Sequence, residues 1–433
     1  MDSRAGAEIK YSSIRGGISG SLARHVFRYI SILTDIAFRE NDASPEIIYS
    51  QSGEIPDSAK IIIRDGKCFL RQGNYEREAL GFDPIKKLAD ALSLSFGSGP
   101  YSQDKLSPSP PDQPTLSEAV VGFASIITDA GLAKSSGQPI TIWPAPCSFA
   151  VALTHDIDIV RRSIPGGVRL LWKRHLPGGF IALVDSVRSS LFDSPNPYDR
   201  IREWIMLENE LGLKSTFFAF DGWRHHANDP KYELRWITAD LKAIRSSDFE
   251  LALHTSIGCH AGYHIPESKK ALEDAAGIGI SGLRPHYLSA FFPQYWRAAA
   301  ASGFAYSSAF GFDEEIGLIQ GIDLPIIPFD KEADKSVDIV EIPIAIMDCG
   351  IIGDHDVSSE AVFEKGKTLI DRSVASGGLI VLDWHERTLY GRDYPGWGSL
   401  YFRLVEYARS KGAYFPMMSD IAASIMTRFK GRP

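Results

Sequence analysis

Four short polar clusters carry the residue types that hold a metal ion or move a proton: THDID at 154–158, LHTS at 253–256, LRPHYL at 283–288 and VLDWHERT at 381–388. Each follows a strand-like run, respectively SFAVAL, DFELAL, GISG and GLIV. When several buried strands end in His, Asp and Arg, those side chains gather at the carboxyl-terminal mouth of the sheet. Open α/β sheets and α/β barrels keep their chemistry there. Asp156 and Asp158 sit two residues apart just past a strand, where loss of strict alternation would let both turn into one cavity. Paired carboxylates beside imidazoles suit a hard or borderline divalent cation and leave one carboxylate free to act as a base. Taken singly, an Asp after a strand is most often a helix cap and a lone His a satisfied polar residue. Four such clusters at four strand ends weaken that reading and point to an enzyme with a metal site.

The elements that must position these clusters begin near Ser148. Strand-like runs recur as SFAVALTHD, KSTFFAF at 214–220, FELALH at 249–254, ISGLRPHY at 280–287, VEIPIAIMD at 340–348, GGLIVLDWH at 377–385 and AYFPMM at 413–418. Helical connectors such as DRIREWIMLENELGL and PESKKALEDAAGIG lie between some of them. Continuous apolar strands separated by helices mean a parallel sheet covered on its faces, as a barrel or a large open sheet. Residues 1 to about 98 read as a smaller α/β unit, with a helical SLARHVFRYISILTDIAF and strands around an Asp65-Gly66 turn. The Pro- and Ser-rich stretch 99–114 reads as a linker or long loop, and SEAVVGFASIITDAGLA as a helix capped by Ser117. The expected organisation is an N-terminal α/β domain over 1–139 and a barrel domain over 140–433. Within the barrel, segment 161–197 is too long for a routine link. It reads as a helical insertion on the rim, or as a lid whose Arg169, Lys173, Arg174 and His175 face an anionic part of a substrate.

With 433 residues, 44% apolar and 23% charged, the chain has the balance of a soluble protein too long for one ordinary core. A formal charge of −8 offers no broad basic surface for nucleic acid or anionic lipid, so a small molecule or an uncharged polymer is the expected partner. Cys68, Cys147, Cys259 and Cys349 form no CxxC pair, so neither a zinc ribbon nor a disulfide framework is indicated. No stretch reaches about 18 uninterrupted apolar residues, and the opening MDSRAGAEIKYSSIRGG lacks the apolar core of a signal peptide. A cytoplasmic location is expected.

The order of the motifs over about residues 140–425 resembles the polysaccharide deacetylases of carbohydrate esterase family 4, in a divergent branch with THD-x-D as first motif. WPAPCSFAVALTHDID stands as the first motif, LKSTFFAF as the second strand, FELALHTS at the His-Ser motif, LRPHYL at the Arg-x-Pro-Tyr motif, EIPIAIMD at the late acidic motif and GGLIVLDWHE at the closing His motif. The resemblance implies a distorted (β/α)7-type barrel, one divalent ion, for which zinc is the expected metal, and hydrolysis of an N-acyl group on a sugar. Position by position it makes Asp156 the catalytic base, Arg284 the residue that orients it and Tyr287 the donor of an oxyanion-holding backbone N–H. His385 becomes the general acid, and Asp348 the acidic partner of either Arg284 or His385. It makes Asp158 and His254 metal ligands.

The family's second metal histidine, four residues after the first, is Gly258 here. The third ligand must come from elsewhere: His286 is the choice because a strand end places it, with His260 and His264 as alternatives on a glycine-bearing loop. His225 and His226 read as rim surface. The implied mechanism is metal-assisted amide hydrolysis, with Asp156 taking a proton from the attacking water and His385 returning one to the leaving amine. Two other readings stand beside it: a cytoplasmic amidohydrolase or deformylase acting on a non-polysaccharide amide, and a carbohydrate-binding barrel that has lost turnover.

Overall fold

A computed structural model describes residues 8–15, 18–50, 55–93, 107–134, 140–161, 183–184, 186–188, 196–313, 315–348 and 358–431. Most of the 161–197 insertion, with its basic run, and the first half of the 99–114 stretch lie outside the described residues.

The N-terminal sheet has strands β1 (Ile9–Arg15), β2 (Phe38–Glu40), β3 (Ile47–Ser50), β4 (Ile61–Arg64), β5 (Lys67–Gln72) and β6 (Tyr75–Leu80), in the order β2-β1-β3-β4-β5-β6. Asp65 and Gly66 join β4 to β5 with positive φ at both positions, the two-residue hairpin expected of Asp-Gly. Helices α1 (Gly20–Thr34), α2 (Pro84–Ser93) and α3 (Leu116–Asp129) pack with one another. The cap of α3 is Thr115, not Ser117. Thr115 Oγ1 accepts from Glu118 N at 3.2 Å, and the Glu118 carboxylate accepts from Thr115 N at 2.8 Å. The Thr-x-x-Glu spacing satisfies two orphan donors at once, which Ser117 inside the first turn does not. Ser117 instead donates to Asp323 Oδ2 at 2.5 Å, in a buried bond to the barrel.

α1 buries residues on every side, from Leu22 to Thr34. A helix apolar all round needs cover all round, and here the barrel supplies part of it. Tyr29 donates to the Pro325 carbonyl at 2.9 Å, Arg28 to that of Phe429 at 2.6 Å, and His25 Nε2 lies 2.8 Å from that of Ile327. Burial pulls the His25 pKa down to about 4, with the Ile327 carbonyl opposing and Arg28 adding to the shift. The unfolded imidazole titrates near 6.5, so this contribution to stability is full above pH 6.5 and falls away as pH drops towards 4. It amounts to about 3 kcal/mol. Urea midpoints of wild type and His25→Gln, compared between pH 7 and 4, are expected to converge as the pH falls; parallel curves would contradict this.

The larger sheet runs β14-β11-β10-β9-β8-β7-β16-β15 and every pairing is parallel. Its strands are β7 (Ala150–Ile157), β8 (Thr216–Phe220), β9 (Glu250–Thr255), β10 (Gly282–Pro285), β11 (Tyr306–Ser307), β14 (Val340–Glu341), β15 (Ile346–Met347) and β16 (Leu379–Asp383). Between β11 and β14, β12 (Phe329–Asp330) and β13 (Lys335–Ser336) form a small antiparallel pair. The 340–348 run is therefore two short strands, not one, with Pro343 between them. β14 pairs with β11 at one edge and β15 with β16 at the other, so one stretch of chain reaches both edges of the curled sheet. The result is the distorted (β/α) barrel that the sequence predicts. Outside it lie α4 (Ile201–Glu210), α5 (Thr238–Ser246), α6 (Ile265–Ala276), α7 (Gln294–Ala301), α8 (Ser359–Ser376), α9 (Trp397–Ser410) and α10 (Met418–Lys430).

The last expected strand, 413–418, shrinks to a bridge at Tyr414, which donates to the Phe149 carbonyl and accepts from Val151 N. Pro416 has no N–H to extend a ladder, and α10 starts two residues later. None of Cys68, Cys147 and Cys259 forms a disulfide. No helix among the described residues is long and apolar enough to cross a membrane.

Candidate metal centre and proton-transfer groups

β7 is buried along its whole length because the barrel interior covers one face and helices the other. It continues to Ile157, so strict alternation, and not its loss, puts Thr154, Asp156 and Asp158 on one side. His155 points the other way. Its Nδ1 lies 2.7 Å from the Trp384 carbonyl and its Nε2 3.0 Å from Glu208, in a buried cluster with Trp204 and Tyr401. It belongs to the packing between barrel and helices.

Parallel register sets the neighbours. His254 on β9 stands opposite Arg284 on β10, and Thr154 opposite Asp383 on β16. His254 Nδ1 lies 3.0 Å from the Arg284 carbonyl, which fixes that nitrogen as the donor and leaves the Nε2 lone pair facing inward. Nε2 is buried with no hydrogen-bond partner and sits 3.3 Å from Asp158 Oδ1, which also lacks one. Two buried acceptors face to face are stable only with positive charge between them. His286 Nε2 lies 3.7 Å from Asp158 Oδ2, and the ligand atoms of Asp158, His254 and His286 all fall within 4.8 Å of one another. One carboxylate and two imidazoles fit a divalent cation with nitrogen and oxygen ligands.

Of the three alternatives for the third ligand, His286 is the one brought to this cluster. His260 turns its Nδ1 to the Ile257 carbonyl at 2.9 Å and its ring onto Phe291, and the exposed His264 stacks on His225. Burial lowers the His286 pKa, but Asp158 and Asp229 outweigh it and raise it to about 9. A proton on this ring and a cation beside Asp158 stabilise the same carboxylate, so the two compete.

Beside this cluster stand two proton-transfer groups, each held by a partner. Arg284 Nη1 donates to Asp156 Oδ1 at 2.7 Å, leaving Oδ2 facing His254 at 3.7 Å. Burial raises the Asp156 carboxyl, but Arg284 and His254 hold it below the usual range, and it is ionised. His385 Nδ1 lies 2.5 Å from Asp348 Oδ1, and the His385 backbone N–H donates to Asp348 Oδ2 at 2.9 Å. Its Nε2 is 3.1 Å from Asp158 Oδ2. Asp348 is thus the partner of His385, and of the two partners expected for it Arg284 is excluded. Arg284 pairs instead with Asp383, at 2.5 Å. Tyr287 follows His286 with φ 54° and ψ 24°, a left-handed backbone uncommon for a bulky residue, and its side chain is 54% exposed.

Four further residues complete the site, and three of them, Asp383, Glu386 and Arg387, lie within the VLDWHERT cluster without a role assigned from the sequence. Asp383 sits two residues before His385, the spacing that relates Asp156 to Asp158, so the same alternation identifies it. Burial raises its carboxyl to about 6 despite Arg284. Glu386 accepts the backbone N–H groups of Asp158 at 3.3 Å and Ile159 at 2.9 Å, and Arg387 brings Nη1 to 3.8 Å from Asp158 Oδ2. Asp229 lies beyond β8, where no motif marks it.

Arg284 is fully buried between two carboxylates and has Phe218 at its face, 4.0 Å from the ring centroid. Arg284→Met keeps most of the volume but strands Asp156 and Asp383. It is expected to cost about 3–5 kcal/mol, read as a drop in the denaturant midpoint; an unchanged midpoint would show that the pair does not need its cation.

No family model and no curated protein matches the chain. Among solved structures it is similar to a provisionally assigned polysaccharide deacetylase from Mycobacterium smegmatis, at 18% identity and a TM-score of 0.43 over 66% of this chain and 93% of that one. It is also similar to a polysaccharide deacetylase from Bacillus cereus, at 11% identity and a TM-score of 0.34 over 62% and 91%. A third is a family-4 carbohydrate esterase pseudoenzyme from Bacillus anthracis, at 9% and 0.34 over 70% and 81%. At these identities and TM-scores the likenesses assign no activity, which has to be argued from the residues.

Proposed function

We propose that the chain is a metal-dependent hydrolase that removes an N-acyl group, acetyl in the first instance, from a carbohydrate. The observation that carries this reading is the convergence of the Asp158, His254 and His286 cluster with two separately held groups, Asp156 on Arg284 and His385 on Asp348. A divalent cation held by Asp158, His254 and His286, with zinc as first choice, would polarise the acyl oxygen. Asp156, ionised and anchored through Oδ1, takes a proton from the attacking water through its other oxygen. A C–O bond forms to the acyl carbon. Negative charge on the acyl oxygen is met by the backbone N–H of Tyr287. His385, oriented by Asp348, gives its Nε2 proton to the departing nitrogen as the C–N bond breaks, leaving a carboxylic acid and an amine. A base and an acid held on different strands suit an amide, whose nitrogen leaves only when protonated.

The test is release of acetate or formate from a panel of N-acetylated and N-formylated amino sugars and oligosaccharides. Release that stops with chelator and returns with zinc supports the reading. A cation-loaded protein that binds these sugars and cleaves none would overturn it in favour of a binding barrel.

A further inference from the structure

Asp229 lies in the loop after β8 and is 2% exposed. It gathers donors from two loops. Its Oδ2 accepts from His225 N at 3.0 Å, His226 N at 2.8 Å and Ser256 Oγ at 2.6 Å, and its Oδ1 accepts from Ile257 N at 3.0 Å. The second loop follows the end of β9, the strand that carries His254. Oδ1 also faces a further group, His286 Nδ1, at 3.8 Å. That nitrogen is buried and has no hydrogen-bond partner. The opposite ring nitrogen, Nε2, is the one directed at Asp158. The His286 imidazole is thus strung between a carboxylate of the metal cluster and a carboxylate locked into two loops.

We propose that Asp229 is a positioning residue of the metal centre, fixing the tautomer and ring orientation of His286 so that Nε2 presents its lone pair to the cation. An anion beside Nδ1 favours the proton there, which leaves Nε2 free to ligate and makes it more basic. The same carboxylate shapes the ground beside the cluster. It holds the backbone of His225, and a Cβ at Gly258 would meet His225 Cβ at 2.5 Å, so the anchored loop fills the space a side chain at 258 would need. The loop after β8 is thereby part of the metal centre without supplying a ligand.

This rests on the cation reading of Asp158, His254 and His286, and the experiment keeps the two apart. Zinc affinity of the full chain is measured by chelator competition for wild type, Asp229→Asn, His286→Ala and the double variant, with thermal unfolding of each in metal-free buffer. Asp229→Asn is expected to weaken zinc about 10–100-fold, the range usual for an outer-shell partner, and to add little once His286 is already alanine. Equal losses in both backgrounds would mean that Asp229 acts through the loops and not through His286. A wild type with no chelator-sensitive zinc would instead remove the cation reading itself. Should Asp229→Asn fail to fold, nitrogen-15 shifts of His286 in zinc-loaded wild type decide: a protonated Nδ1 with Nε2 on the metal is expected, and the opposite tautomer would overturn the assignment.

Discussion

Replacing His385 with alanine is expected to lower turnover by about 10²–10⁴-fold, the usual contribution of a general acid, while the protein keeps its cation. The ring is oriented by Asp348 at 2.5 Å and stands outside the Asp158, His254 and His286 trio, although it groups with Asp156 and Asp383 in a second set whose ligand atoms are also close enough to hold an ion. An amide nitrogen expelled without a proton is a very poor leaving group, so the loss falls on kcat. Asp348 keeps the backbone N–H of residue 385 and loses only the ring donor, so the fold should survive with a modest penalty of about 1–3 kcal/mol. Steady-state rates with elemental analysis check both parts. Wild-type turnover would take His385 out of the mechanism, and loss of the cation would make it a ligand.

Asp158→Ala and His254→Ala are each expected to lose the cation and, with it, activity. Asp158 Oδ1 and His254 Nε2 face each other as buried acceptors without hydrogen-bond partners, 3.3 Å apart. Removing either leaves two protein ligands, and the affinity should fall by more than the roughly 10–100-fold that an outer-shell change costs. Asp158 also carries the larger local burden. His254, His286, His385 and Arg387 all approach it, and burial, which raises its carboxyl, is outweighed by His286 and His385, so that it lies well below the usual range. Its loss should therefore change stability as well, whereas His254→Ala should act chiefly on metal content. Full occupancy in both variants by elemental analysis would remove this site.

Much of the barrel was legible because buried parallel strands read as continuous apolar runs, and the chemistry sits where those runs stop. Asp156, Asp158, His254, Arg284, His286 and His385 all lie at or just past the ends of such runs. Where this rule fails, a local pattern is overridden by tertiary context. The 340–348 run looks like one strand, yet its two ends pair with opposite edges of the sheet, a consequence of closure that periodicity does not encode. Tyr414 joins the sheet by a single bridge because Pro416 and the start of α10 cut the strand short. Asp383 was readable, since the two-residue spacing from His385 repeats that of Asp156 and Asp158. Asp229 was not. It stands in an irregular loop, and its importance arises from four donors and an imidazole converging on it from segments up to 57 residues away. Ser117 suits a cap by residue type alone, whereas the Thr115 to Glu118 spacing satisfies two backbone donors and decides the matter.

Asp158, His254 and His286 are together proposed to hold one divalent ion. Anomalous scattering at the zinc edge from crystals grown with zinc tests it most directly. One peak is expected within about 2.0–2.2 Å of an Asp158 carboxylate oxygen, His254 Nε2 and His286 Nε2. A peak held instead by His260 or His264, or none at these residues with zinc in excess, would contradict it.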